Sequence, residues 1–332
     1  GAGFSRSAAH SGDTSKKLSL WLDFSKKIAG ELDPTNERLP LSDPLRLAEE
    51  YRAYFGQQTL NDLIKKEIND AAWTPGDLYK SLLSLPWSEV LTTNWDTLLE
   101  RASQEINHPI YNIVSKQTDL SSVRAPRIVK LHGTINATEE LVFCQEDYRK
   151  YPQTHAAFVN FARQVFIENE LCLLGFSGDD PNFLQWAGWV RDHLTKHSRR
   201  IYLIGALNLT AAKRKYLESI NISPVDLWSL VTEFDDYDVK HTKSTEFFFA
   251  ALNHLKPKKL SDWCPSDLSR IESLEEKIFA LKYDRESYPG WLICPHTTRW
   301  KVSNQISLHH FSKDNISKLS PDNRALLSYE LA

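Results

Sequence analysis

The sequence predicts an α/β fold: a parallel sheet flanked by helices, with a helical insertion and a mostly helical C-terminal extension. Two observations carry this. From about residue 85 short apolar runs alternate with longer amphipathic segments, and continuous apolar strands alternating with helices imply a parallel sheet covered on both faces. Before that, residues 16–72 place apolar side chains close to a 3.6-residue period, the spacing of helices with one buried face.

The elements follow in chain order. Leu18, Leu20, Leu22, Phe24 and Ile28 open the insertion, and Asp33-Pro34-Thr35-Asn36 marks a loop. Pro44 to Asp70 continues it as helix, with Leu45, Leu47, Tyr51, Tyr54, Leu60, Leu63, Ile64 and Ile68 between charges. Val90 to Thr93 reads as a strand and Thr97 to Ser103 as a helix. Ile110 to Val114 and Arg127 to Leu131 read as strands. Ala156 to Glu168 reads as a helix and Leu171 to Gly175 as a buried strand. Asp180-Pro181 is a helix start, Asp capping and Pro at the first helical position, and this helix runs to about Thr195. Ile201 to Gly205 and Ile222 to Leu227 are further strands, with a helix from Thr210 to Ser219 between them. Glu246 to Leu255 is a helix, the basic Lys256-Pro-Lys-Lys259 follows it as a boundary, and Ser266 to Tyr283 is again helical. Tyr288-Pro-Gly-Trp291 is a turn, and Trp291 to Val302 is extended.

Composition narrows the function classes. At ~150 residues per domain, 332 residues suggest about two domains. Apolar residues make up 41% and charged residues 25%, and 10 Trp, 12 Tyr and 15 Phe exclude disorder as the main state. A net charge of −3 offers no basic field for nucleic acid. The apolar runs fall short of the ~18–20 residues of a membrane span, and no targeting segment is visible. Cys144, Cys172, Cys264 and Cys294 are far apart and form no CxxC, so neither a disulfide framework nor a four-Cys zinc module is expected. The expected setting is the reducing cytoplasm. The chain has no Met and opens on Gly-Ala-Gly. From this we expect part of a longer chain, with methionines or loop residues missing from the sequence.

Four segments carry candidate chemistry, each at a strand end. Gly1-Ala-Gly-Phe-Ser5 can bring backbone N–H groups to a pyrophosphate, although a plain tight turn has the same composition. Thr92-Thr-Asn94-Trp-Asp96 follows an apolar strand, where polar side chains face a ligand crevice; Asn94 or Asp96 as a helix cap is the plainer alternative. Lys130-Leu-His132-Gly133 offers an imidazole suited to a general base, while a lone His is more often structural. In Gly175-Phe-Ser177-Gly178-Asp179-Asp180-Pro-Asn182, small residues and a hydroxyl suit approach to a ribose–phosphate. Its acidic pair can chelate a cation or simply cap the helix. His193 and His197 share a helix face without a third ligand and read as solvated.

Together these segments, in this order, resemble the sirtuin-like family over roughly residues 1–230. With Leu85-Pro-Trp-Ser88 they look like the bacterial branch found at the N-terminus of larger anti-phage defence proteins. The resemblance implies a Rossmann-like sheet that binds NAD, with a helical insertion at about 15–85 closing over it. It divides the chain into a NAD-binding, catalytic domain at 1–235 and the start of a second, truncated domain at 236–332. Gly1, Ala2, Gly3, Phe4 and Ser5 match the phosphate loop. Thr93, Asn94 and Asp96 match the surroundings of nicotinamide and its ribose, His132 the catalytic histidine, and Ser177, Gly178 and Asp179 the loop on the adenosine side.

Two departures shape the functional expectation. The two Cys pairs of a sirtuin zinc module are absent after His132-Gly133, as is the glycine-proline segment after the first loop. No zinc is therefore expected, and protein deacylation becomes the less favoured activity. The expected activity is NAD hydrolysis to nicotinamide and ADP-ribose in abortive infection. The catalytic residues would be Asn94, His132 and Asp96, with NAD as substrate and no metal. A NAD or ADP-ribose sensor without catalysis is the alternative. A homo-oligomer and a phage-protein trigger or defence-partner subunit are the expected partners; membrane and nucleic acid are not.

Overall fold

A computed structural model describes residues 1–13, 15–35, 43–135, 137, 141–255, 263–264, 266–288 and 313–331. Asn36, the basic stretch at 256–259, the Pro-Gly-Trp part of the 288–291 turn, the expected extended segment at 291–302 and Cys294 lie outside the described residues. The chain divides into two compact units, Gly1–His254 and Leu255–Ala332.

The first unit opens on a single helical turn, α1 (Ala2–Ser5), and a two-residue strand, β1 (Ala9–His10). The insertion follows as α2 (Trp21–Leu32), α3 (Pro44–Phe55) and α4 (Gln57–Ile68). Asp43 caps α3 by accepting from the Leu45 and Arg46 N–H groups, with Pro44 at its first position. The 3.6-residue pattern has its cause in a separate core. Ile28, Ala48, Leu60 and Ile64 are fully buried together with Phe143 and Cys144. Next come β2 (Trp73–Thr74), which pairs antiparallel with β1, and α5 (Asp77–Leu83).

The parallel strands are β3 (Glu89–Thr92), then, after α6 (Leu98–Gln104), β4 (Asn112–Val114) and β5 (Arg127–Lys130). Two helices follow, α7 (Gln145–Thr154) and α8 (Ala156–Glu168), then β6 (Leu171–Leu174), α9 (Pro181–Leu194), β7 (Ile201–Gly205), α10 (Ala211–Ser219), β8 (Ile222–Asp226) and α11 (Tyr237–Leu255). All sheet pairings among β3 to β8 are parallel, as expected. They form two three-stranded sheets, in orders β3-β5-β4 and β6-β7-β8, rather than one. A cavity of about 190 Å³ lies between the unpaired edges of β3 and β6. Successive residues of β5 point to opposite faces. Val129 packs with the α8 and α9 side chains Phe158, Val159, Phe183 and Trp186. Ile128 packs with Tyr79, Leu83, Leu98 and Phe249 from α5, α6 and α11. Helices therefore cover both faces, which is why the strands read as unbroken apolar runs.

The second unit contains α12 (Leu274–Ser287), α13 (Lys313–Ser317) and α14 (Pro321–Leu331). Leu268, Ile278, Leu281, Leu319 and Leu327 form its core. The predicted helix at 266–283 divides into a short 3₁₀ turn, Leu268–Arg270, and α12. Ser273 caps α12 through the Glu276 N–H.

Candidate active site

Sheet register brings the candidates together. Thr92 of β3 pairs with Lys130 of β5. Asn94 and His132 each stand two residues beyond that pair, at the carboxyl ends of neighbouring parallel strands, where α/β folds place ligands. The Leu131 N–H continues the ladder to the Thr92 carbonyl at 2.9 Å, so both segments leave the sheet from a fixed position.

α1 docks onto the strand end of β6. The Gly3 N–H donates to the Gly175 carbonyl at 2.9 Å, and the Gly1 nitrogen donates to the Leu174 carbonyl at 3.0 Å. The approach is close enough to exclude side chains. A Cβ on Gly175, where φ is +55°, would sit 2.0 Å from the Phe4 nitrogen, and one on Gly1 would sit 2.4 Å from the Gly175 oxygen.

Docking delivers Ser5 to the second segment. The Asn94 Nδ2 donates to Ser5 Oγ at 2.8 Å, and Ser5 Oγ donates to Asp96 Oδ2 at 2.8 Å. The other carboxylate oxygen of Asp96 accepts from the Leu98 N–H at 3.2 Å, a local turn just ahead of α6, whose N-cap is Thr97 rather than Asn94 or Asp96. Asp96 is 7% exposed, and its main-chain carbonyl accepts from the Lys130 ammonium.

His132 is 1% exposed. Its Nε2 lies 3.1 Å from the Asn182 amide nitrogen, and its Nδ1 lies 3.5 Å from the Tyr148 hydroxyl. That hydroxyl donates to Asp180 Oδ2 at 3.2 Å, and Asp180 Oδ1 caps α9 by accepting from the Phe183 N–H at 3.0 Å. Burial pushes the His132 pKa down to about 4, although Asp180 pulls it upward, so the ring is neutral at physiological pH. Burial also pushes the Tyr148 hydroxyl far up, with Asp180 adding to it, so it stays protonated.

Asn94, Asp96 and His132 open onto one cavity of about 960 Å³, at the upper end of the ~300–1,000 Å³ usual for small-molecule sites. Ala2, Gly3, Ser5, Thr93, Ser177 and Asp179 line it as well. Gly1 and Phe4 do not: both face the smaller cavity between the sheets, where Phe4 packs edge-on against Tyr79 at 4.8 Å. Gly178 is buried beside the wall at a φ of +81°. The first segment is one turn of helix rather than an open glycine loop, because its Phe4 and Ser5 side chains are both anchored inward.

Three parts of this wall carry no local sequence signal. The insertion supplies Trp21, whose ring stacks on Phe143 at 5.0 Å, with Trp95 also packed against Phe143 at 5.1 Å. The start of α11 supplies Asp238, which takes both guanidinium arms of Arg6 at 2.7 and 2.5 Å. Tyr148 comes from α7, a helix the sequence pattern does not predict. Asn182 closes the fourth motif, yet only the fold turns it against His132.

Among the described residues, no group of three or more His, Cys, Asp or Glu is placed to hold a metal ion. No helix among them is long and apolar enough to cross a membrane.

Residues 88–225, which include Asn94, Asp96, His132 and Ser177, match the SIR2-like domain family. This region is a sirtuin-like domain. The chain is 28% identical over 167 residues to NAD(+) hydrolase ThsA of Acinetobacter baumannii (strain 532279), covering 49% of this chain and 34% of that protein. It is 30% identical over 129 residues to NAD(+) hydrolase ThsA of Enterococcus faecium, covering 38% and 27%. It is 21% identical over 252 residues to Defense-associated sirtuin 2 of Bacillus subtilis, covering 73% and 24%. The chain thus spans about a quarter to a third of the length of these relatives.

Proposed function

We propose that this sirtuin-like domain is a NAD+ glycohydrolase, cleaving NAD to nicotinamide and ADP-ribose in bacterial anti-phage defence. One observation carries the reading: the Asn94–Ser5–Asp96 hydrogen-bond chain lies with His132 on the wall of a single dinucleotide-sized cavity. Similarity to proteins named NAD(+) hydrolase and defence-associated sirtuin supports it.

Cleavage of the bond from ribose C1′ to nicotinamide releases a neutral amide base, so it needs no general acid. It needs stabilisation of an oxocarbenium-like transition state and a positioned water. The Asn94 amide nitrogen is committed to Ser5, which leaves its oxygen to accept from the water or a ribose hydroxyl. The Asp96 carboxylate is held by Ser5 and Leu98, and we assign it to offset the developing positive charge. His132, neutral at physiological pH, is the general base toward water or a ribose hydroxyl. Ala2, Gly3 and Ser5 would meet the phosphates, and Ser177 and Asp179 the adenosine side. The chemistry proposed here calls for no zinc. The domain would work in the cytoplasm as a homo-oligomer, under a phage-protein trigger or a defence-partner subunit. The proposed catalytic domain runs past the expected limit at 235 to about residue 254, because α11 carries Asp238 and Phe249 into it.

A second reading, a NAD or ADP-ribose sensor without catalysis, draws on the engagement of both His132 ring nitrogens by Asn182 and Tyr148. Variants at the site separate the two. Asn94→Ala and His132→Ala should each abolish NAD consumption, measured by chromatography, in a protein that still unfolds cooperatively. Full activity in both variants would remove the assigned roles.

A further inference from the structure

Lys130 is 0% exposed, and its ammonium has two neighbours. It donates to the main-chain carbonyl of Asp96, and it lies 3.1 Å from Glu100 Oε1 on α6. The Glu100 carboxylate is itself largely buried, and burial raises its pKa against the opposing charge of Lys130. A buried ion pair is a poor source of stability, because desolvation of both charges offsets their attraction. Stability therefore gives no account of it.

Its position does. Lys130 ends β5 two residues before His132, and Asp96 lies two residues after Asn94. The contact bolts the segment that carries Asn94 and Asp96 to the strand that carries His132. The same turn is held from its other side by the Ile135 N–H, which donates to the Trp95 carbonyl at 2.9 Å. With Glu100 balancing its charge, the lysine fixes the turn without neutralising the Asp96 carboxylate.

We propose that Lys130 is a positioning residue: its ammonium fixes the main chain of residues 94–96, and thereby the Asn94–Ser5–Asp96 chain, relative to His132, with Glu100 as its buried counter-ion. The catalytic part of this inference rests on the NAD hydrolysis proposed above; the geometric part does not.

The test is the double variant Lys130→Met/Glu100→Leu, which replaces the pair with apolar side chains of similar size. Lys130→Met alone strands the Glu100 carboxylate and can fail to fold; the double variant removes that cost. We expect it to melt no lower than the parent while kcat for NAD falls at least about tenfold and KM moves less than about threefold, since the lost contact orients groups rather than binds substrate. Amide hydrogen exchange supplies a readout independent of activity. In the double variant the Leu98 and Ile135 amides should exchange at least about tenfold faster, with α9 unchanged. Parent-like exchange at Leu98 and Ile135 overturns the proposal whether or not the protein hydrolyses NAD. Faster exchange in the double variant, beside a parent protein that leaves NAD intact, supports the positioning role and refutes the hydrolase reading instead.

Discussion

Acidification puts a number on the burial of His132. The ring is 1% exposed, and burial lowers its pKa from 6.5 to about 4. Between those values the unfolded chain takes up a proton that the folded chain refuses. The contribution to stability is therefore complete above about pH 6.5 and is lost progressively as the pH falls toward about 4. At about 1.36 kcal/mol per pH unit, the interval amounts to about 3 kcal/mol. That is a large share of the ~5–15 kcal/mol by which folded domains are stable. Urea unfolding of the wild type and His132→Gln, followed by tryptophan fluorescence between about pH 7.5 and about pH 4.5, measures it. The variant starts lower, because it loses the packing of the ring, but its stability should fall by about 2.5 kcal/mol less over this range. His241, whose pKa burial also lowers, contributes equally to both curves and cancels in their difference. Parallel curves would refute the argument that His132 is folded as a buried neutral ring.

Three further outcomes follow from the geometry. Gly175→Ala places a Cβ 2.0 Å from the Phe4 backbone at a φ of +55°; left-handed strain alone costs roughly 1–2 kcal/mol. Displacement of α1 should add to this and abolish NAD binding in calorimetric titration. Asp226→Asn should cost about 2 kcal/mol in denaturant unfolding, because the carboxylate accepts from the Leu207, Asn208, Leu209 and Trp228 N–H groups. Although burial raises its pKa, those bonds win and lower it, so its stabilisation holds above the ordinary carboxylate range and fades as pH falls below it. Ser5→Ala breaks the link between Asn94 and Asp96; turnover of NAD should drop roughly 10–100-fold for a stability loss of about 1 kcal/mol.

What was legible in the sequence depended on how local its cause is. β5 and β7 are largely buried on both faces and β6 is half-buried, so their apolar runs could be placed almost to the residue. The Asp180-Pro181 start of α9 was equally plain, because the cap and the fixed φ of proline act within one turn. α7 was not, since its ten residues bury only Tyr151 and carry Pro152 inside the helix. α11 begins at Tyr237 rather than at Glu246, and its first turn is polar. The candidate site followed the same division. Asn94, Asp96 and His132 sit at strand ends that composition marks. Their partners are set by tertiary placement: Asn182 lies 50 residues from His132, and Asp238 lies 232 residues from Arg6. The division into two three-stranded sheets has no local cause either, because strand edges leave no trace in side-chain pattern.

The central claim, that the cavity holding Asn94, Asp96 and His132 is a site of NAD cleavage, is tested most directly by product analysis. The protein is incubated with NAD, alone and with phage lysate as a trigger, beside His132→Ala. Nicotinamide and ADP-ribose in equal amounts from the wild type, and none from the variant, is the predicted result. NAD that binds to the wild type yet is recovered intact under both conditions would contradict the account and leave the site a sensor.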